Sequence, residues 1–247
     1  MGEMFPNSAI AQMVEKQWKK WLLLTEQRTV RKPVGLFPTV TISRERGSNG
    51  SLIARLVADR LGFVVFDSEI VDHVARSAAV DRMVVVHMDE HSRQRIQEWT
   101  EQVMDRQQFS AETYMAHLTR TISTVGEKGR AVIIGRGAHL LLPVERCFRV
   151  RVIAPLPVRI ARLVASGEPR PRAEAIIADT DQQRAQFIQE NFRQSDADPL
   201  LYDLVINTGE IAMETAAEVI VRAVEAKFPQ VLQVRGSAPV PASRLAE

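Results

Sequence analysis

The chain has 247 residues, 45% hydrophobic and 25% charged, with 32 Lys plus Arg against 30 Asp plus Glu and a formal charge of +2. That length fits one α/β core with terminal additions, and the composition argues against disordered, collagen-like and membrane-spanning classes. Near-neutral charge without a polybasic tract points away from nucleic acid as a partner.

The single cysteine, Cys147, cannot form an internal disulfide, which fits a reducing compartment, and its apolar run Cys147-Phe148-Arg149-Val150 predicts an inert core thiol. Trp21-Leu22-Leu23-Leu24 falls far short of the roughly 20 apolar residues a membrane span needs. The N-terminus shows no secretory h-region with a cleavage site, so a cytoplasmic location is expected.

In chain order, residues 1–37 form an N-terminal helical extension. Ile10, Met13, Val14, Trp18, Trp21 and Leu22 fall on one face of an amphipathic helix, with Lys16, Lys19 and Lys20 on other faces. Such a stripe packs on its own domain or self-associates into a homo-oligomer; a membrane surface is the competing reading. Pro33 and Pro38 mark a linker.

From residue 38 to 228 short β-rich runs alternate with helical stretches, the pattern of βαβ units around a parallel sheet. Val40-Thr41-Ile42 is the first strand, followed by the turn Gly47-Ser48-Asn49-Gly50 and a helix over Ser51 to Leu61. Phe63 to Phe66 is a strand ending at Asp67. Helical segments follow at Glu90 to Arg106 and Ala111 to Glu127. Ala131-Val132-Ile133-Ile134 reads as a buried central strand that stops at Gly135-Arg136-Gly137. Phe148 to Ile153 is the next strand, and Pro155 and Pro157 open a helix carrying Arg159 and Arg162. Gly167 to Arg172 reads as a loop, Ala173 to Arg193 as a long polar helix, Tyr202 to Ile206 as the last strand and Glu214 to Phe228 as the last helix. Residues 229–247, with Pro229, Gly236, Pro239 and Pro241, predict a disordered tail.

A glycine turn between a strand and a helix lets backbone N–H groups approach phosphate, and the helix N-terminus adds partial positive charge. Gly47, Ser48, Asn49, Gly50 and Ser51 hold that position, although a tight turn without a ligand would look the same. The full GxxxxGK[ST] pattern is absent: with Ser51 at the Ser/Thr position, Gly50 replaces the lysine, Asn49 the second glycine and Arg44 the first. Arg44 and Arg46 flank the turn, either as replacement phosphate ligands or as solvated loop charges. Asp67 and Arg136 fall at strand ends, in the crevice where open α/β sheets bind ligands. An N-cap and a surface ion pair are their competing readings. Asp181 and Arg184, three residues apart, also suit an ordinary exposed helix pair. His73, His87, His91, His117 and His139 show no compact metal-ligand spacing; His87 and His91 lack an evident third ligand.

The segment Thr41-Ile42-Ser43-Arg44-Glu45 before Gly47-Ser48-Asn49-Gly50 resembles the Ser-Arg-Glu plus Gly-Ser-Gly-Gly signature of the cytidylate kinase-like family. Phe66-Asp67-Ser68-Glu69-Ile70, Asp89-Glu90, Ile134-Gly135-Arg136-Gly137-Ala138, Asp181-Gln182-Gln183-Arg184-Ala185 and Asp198-Pro199 through Thr208 are similar to further family segments in the same order. The resemblance implies a P-loop NTPase-type three-layer α/β fold with a parallel five-stranded sheet and a helical lid. It implies phosphoryl transfer from ATP with Mg²⁺ to a nucleoside monophosphate, CMP or dCMP at the family level.

On that resemblance Arg136, Arg184 and Asp181 are catalytic, and Arg44, Gly47, Ser48, Asn49, Gly50 and Ser51 bind ATP. Asp67 and Arg136 hold the acceptor, and the Ser51 hydroxyl is the protein's contact to Mg²⁺. Arg159, Arg162, Arg170 and Arg172 crowd the lid region, where Arg184 is the arginine that closes on the phosphates. Asn49 stands where the family pattern has glycine and predicts a narrower loop. The rival reading is a nucleotide-binding regulatory protein that kept the fold without turnover, suggested by the missing lysine.

Overall fold

The computed structural model describes residues 9–26, 37–76, 90–107 and 114–231. Asp89, His87, Pro33 and the tail beyond residue 231 lie outside them, as do the side chains of Ile10, Met13 and His91. Five strands, β1 (Thr39–Arg44), β2 (Val64–Phe66), β3 (Ala131–Ile134), β4 (Cys147–Ile153) and β5 (Leu204–Asn207), form one sheet in the order β2-β3-β1-β4-β5. Every pairing is parallel, with Val40 opposite Val132 on one side and opposite Phe148 on the other. Both faces are therefore covered. Along β3, Ala131 and Ile133 enter one core while Val132 and Ile134 enter the other.

Helices α2 (Gly50–Leu61) and α9 (Met213–Lys227) close one face through Ile53, Val57, Ile220 and Val224. The opposite face takes α1 (Ala9–Glu26), α3 (Ser68–Arg76), α5 (Tyr114–Lys128), the short α6 (Ala138–Leu141) and the far end of α8 (Arg170–Phe192). Helix α4 (Glu90–Gln107) adds Ile96 to that core, and α7 (Leu156–Ala165) pairs with α8 through Ile160, Leu163, Ala173 and Ile177. The three-layer α/β architecture with its helical lid is thus present.

Several local expectations change. The described part of the apolar stripe of α1 is spent inside the domain: Val14, Trp18, Trp21 and Leu22 are buried, and both indoles stand edge-on to Phe66 at 5.8 and 5.5 Å between ring centroids. Trp21 Nε1 donates to Gly129 O at 2.9 Å and Gln17 Nε2 to Val65 O at 2.9 Å, so α1 is a component of the core rather than an extension. Of the expectations for the stripe, packing on its own domain is what these four side chains do. Helix α8 starts at Arg170, because Pro169 and Pro171 fall at its N-terminus, where a missing N–H costs nothing and φ is already helical. The tail reading begins too early: Pro229–Val231 is a 3₁₀ turn and Val231 is fully buried. Cys147 is buried, and burial pushes its thiol up to about 12, as expected of an inert core residue. Among the described residues no helix is long and apolar enough to cross a membrane.

Candidate active site

From β1 the chain crosses to the edge strand β2, comes back to set β3 between β2 and β1, then places β4 and β5 on the other side of β1. The crevice at the carboxyl ends of β1 and its neighbours is where such sheets hold ligands. Arg44 ends β1, Asp67 follows β2, and Gly135-Arg136-Gly137 follows β3. All three arrive at this edge because strand ends and the crossovers place them there.

The glycine turn is held from behind by its carbonyl groups. Ser48 Oγ donates to Glu45 O at 2.9 Å, Arg159 to Arg46 O at 3.4 Å, Arg162 to Gly47 O at 3.3 Å and Thr208 Oγ1 to Ser48 O at 2.9 Å. With these carbonyls claimed on the inner side, the start of α2 lines the cleft with Gly50 and Ser51, at the end of the helix where amides lack intrahelical partners. Gly47, at φ 82°, packs so closely on α7 that a Cβ would lie 3.0 Å from Arg159 Cβ. Asn49 adopts φ 64°, the left-handed region that explains glycine in the family pattern and that asparagine tolerates better than most residues. Ser48 is not a ligand contact as expected: it is fully buried off the cleft lining, its N–H and hydroxyl both donate to Glu45 O and its carbonyl accepts from Thr208, so it braces the turn. Ser51 lines the cleft in the first turn of α2, a position suited to a hydroxyl ligand of Mg²⁺.

Two clefts meet here. One is lined by the loop from Arg44 to Leu52 together with Arg162 and Ser166. The other is lined by Ser43, Ser68, Arg136, His139, Gln183 and Asp196 among others. Arg44 and Arg184 line both. Burial, then the neighbouring Arg184 and Arg136, push the Arg44 guanidinium down to about 9, with Asp67 acting in the opposite direction. Arg184 is likewise lowered, first by burial and with Arg46 and Arg136 contributing, against Asp181. Cations that repel one another in a half-buried cleft make an environment that favours an anion over a further cation.

Among the sequence-predicted residues, Arg136 lines the second cleft but also grips Asp72, with Nε–Oδ1 at 2.7 Å and a further nitrogen on Oδ2 at 2.5 Å. Tyr114 OH donates to the same carboxylate at 2.5 Å. Asp72 and Tyr114 thereby fix the arginine's direction; neither carries a sequence signal, because their link to residue 136 exists only in three dimensions. Asp67 Oδ1 accepts from Ile70 N at 3.0 Å, so it caps α3 while its charge still acts on Arg44. Asp181 accepts from Arg46 N at 2.7 Å and from Arg159 at 2.5 Å, which makes it a clamp between lid helix and loop. Arg184 NH1 donates to Arg44 O at 2.9 Å, a second clamp from the same helix.

Arg159 and Arg162 are not lid arginines. They are struts behind the loop, Arg159 also pairing with Glu45 at 3.5 Å and Arg162 donating to Thr208 Oγ1 at 3.1 Å. Arg170 and Arg172 are exposed on α8 and pair with Glu174 and Glu168.

The second cleft has one further wall that sequence reasoning missed. His139 stacks on Tyr202 with ring centroids 4.9 Å apart, and Arg151 donates to Asp196 Oδ2 at 3.0 Å beside them. Burial, then Arg151 and Arg149, lower the imidazole to about 3, so it is neutral throughout the physiological range.

Among solved structures the chain is similar to an uncharacterized protein from Eubacterium ventriosum ATCC 27560, with a TM-score of 0.62 and 19% identity over 76% of this chain and 98% of that one. More distant likenesses are the shikimate kinase from Acinetobacter baumannii in complex with shikimate (TM-score 0.41, 14% identity, 78% and 95% covered) and a sugar kinase from Janibacter sp. HTCC2649 (0.36, 14%, 79% and 98%). No curated protein matches the sequence. The model of the cytidylate kinase-like family matches residues 39–210, well over half of the chain and the whole of the sheet and both clefts. The chain belongs to the cytidylate kinase-like family.

Proposed function

We propose that the protein is a phosphotransferase that takes ATP with Mg²⁺ in the loop cleft and a nucleoside monophosphate in the second cleft, with CMP or dCMP as the acceptor suggested by the family. The observation that carries this reading is that the two clefts share Arg44 and Arg184 as their common boundary. Phosphoryl transfer needs little covalent help from protein; it needs alignment of two substrates and neutralisation of charge on the group between them. Two arginines at the junction suit that task. The loop amides and the α2 N-terminus would hold the donor phosphates, and Ser51 would contribute a ligand to Mg²⁺. Arg136, directed by Asp72, keeps guanidinium donors for the acceptor, since only part of its fork is used. Asp67 supports the site as the cap of α3 rather than through a free carboxylate.

The rival reading, a regulatory nucleotide-binding protein, draws on Gly50 at the lysine position. A coupled ADP-release assay with purified protein, ATP, Mg²⁺ and a panel of nucleoside monophosphates separates the two. Acceptor-dependent ADP release, greatest with CMP or dCMP, is the expected result. Nucleotide binding without acceptor-dependent release across the panel would favour the rival.

A further inference from the structure

The P-loop pattern has glycine where this chain has Arg44, and lysine where it has Gly50. In the structure these two departures are a single feature. A Cβ built on Gly50 would stand 2.5 Å from Arg44 Cβ, 3.1 Å from Arg44 Cγ and 3.3 Å from Val152 Cβ. Carbon atoms do not approach to 2.5 Å without displacement of the backbone beneath them, and here the first obstacle is a Cβ, which no rotamer change can move. A side chain at 44 and a side chain at 50 therefore exclude each other. The loop can carry its cation from one position or from the other.

The Arg44 stem fills the space over Gly50, and its guanidinium continues across the end of the sheet. Its NH1 lies where a Cβ on Gly135 would be only 2.4 Å away, so the charge rests on the turn after β3. There it lines both clefts. Its Nε is buried without a partner, and among the described residues it forms no ion pair. A desolvated guanidinium with an unused donor, facing two other arginines, is matched in charge and donors to an anion.

Resting on the phosphotransferase reading, we infer that Arg44 and Gly50 are a transposed form of the P-loop glycine and lysine. Arg44 supplies the phosphate-binding charge, moved from the start of α2 to the floor between the clefts. A lysine at 50 would project from the helix start toward the donor phosphates alone. A guanidinium at the junction, with donors spread around a planar fork, addresses donor and acceptor phosphates together.

The test is calorimetric titration with ATP and Mg²⁺, and separately with CMP, of the full chain and five variants checked for fold by circular dichroism: Arg44→Met, Arg44→Gly, Gly50→Lys, Arg44→Gly with Gly50→Lys, and Arg55→Met. Arg44→Met is expected to weaken ATP about tenfold to hundredfold, the loss of a charge-assisted bond, and CMP measurably as well. Arg44→Gly should lose at least as much. Gly50→Lys alone should bind ATP worse than wild type or fail to fold. The double variant should fold and recover ATP binding over Arg44→Gly, but not CMP binding. Arg55 is exposed on α2 outside both clefts, so Arg55→Met should match wild type.

Unchanged ATP affinity in Arg44→Met, wild-type affinity in Gly50→Lys, or a double variant no better than Arg44→Gly would overturn the transposition. So would equal loss in Arg55→Met. Wild-type protein that binds no ATP would overturn the phosphotransferase reading beneath it. ATP binding without CMP binding in wild type would remove the CMP acceptor and the two-sided role, leaving the loop exchange to be judged on ATP.

Discussion

Replacing Arg44 by methionine removes a half-buried charge while keeping an unbranched stem over Gly50, and the ligand-free protein is expected to become more stable. Burial and the neighbouring cations hold the guanidinium at about 9, well below its ordinary range. That is a loss of roughly three and a half powers of ten in proton affinity, and at about 1.4 kcal/mol per power of ten it sets a ceiling of about 5 kcal/mol on the cost of keeping the charge. Water in the cleft screens the interaction, so a gain of about 1–2 kcal/mol is the working figure, or about 2–8 °C in melting temperature for a chain of this size. The sign follows from linkage. The folded-state value lies below the unfolded one, so the penalty is fully present below pH 9. Above pH 9 the unfolded chain holds the extra proton, the wild type recovers stability as pH rises, and the advantage of Arg44→Met shrinks. Denaturant melts of both proteins at pH 7 and pH 10 measure this difference directly. ATP with Mg²⁺ should reverse the order at pH 7, because it stabilises the wild type more than a variant that binds it weakly. A variant less stable than wild type at pH 7 without ligand, or a difference that does not narrow by pH 10, would refute the reasoning.

Arg184→Ala should lower kcat by about a hundredfold while changing ATP affinity by less than about threefold, since a lid arginine acts when the site is closed; equal losses in both would move it to ground-state binding. Asp72→Asn leaves Arg136 without its charged partner and should raise the acceptor KM about tenfold with little change in the ATP KM; steady-state kinetics with each substrate varied would show this. Trp21→Ala removes a fully buried indole and its bond to Gly129 O, which should cost about 3–5 kcal/mol in urea melts. Removal of residues 1–30 should leave the rest unfolded by near-UV circular dichroism, and a truncated chain with native spectra would show that α1 is dispensable.

The positions of the strands along the chain and the place of the loop were legible because each rests on local signals, whereas the order β2-β3-β1-β4-β5 across the sheet was not. Continuous apolar runs such as Ala131 to Ile134 mark buried strands, and Gly47 to Gly50 falls between a strand and an amphipathic helix. The functions of Arg159 and Arg162 were not legible. Each is an arginine on the first helix after β4, and only the fold shows that they meet the carbonyls of Arg46 and Gly47, more than a hundred positions earlier. Asp72 was hidden for the same reason, being one acidic residue on a helix until Arg136 and Tyr114 close around it. The stripe on α1 was visible, but an apolar face does not announce what it covers. Phe66 and Gly129 supply that answer, one by ring contact and the other by a carbonyl. Pro169 and Pro171 misled in a different way: two prolines read as a breaker also make a good first helical turn.

The clamps between lid and loop bear on how the site must work. Helix α8 reaches the loop through Asp181, which accepts from Arg46 N, and through Arg184, which donates to the carbonyl of Arg44. Both contacts are to backbone on either side of Glu45, and Glu45 itself accepts from Ala154 N beyond β4 at 3.0 Å. The lid helix cannot swing from the cleft without releasing them. Two charge-assisted bonds of about 1.5–3 kcal/mol each, partly replaced by water, make the loss of those two contacts alone cost on the order of 2–4 kcal/mol. On the phosphotransferase reading, the group in transfer would offer Arg184 a stronger partner than a carbonyl oxygen only as the site closes on both substrates, so Arg184 would leave Arg44 O at that point rather than when ATP first binds. Asp181 then becomes the remaining hinge point, still fastened to Arg159 and the Arg46 amide. On that reading the two residues would differ once ligand binds: Asp181, with partners on the loop and on α7, would keep the loop and the lid together, while Arg184 would be the one to change partners.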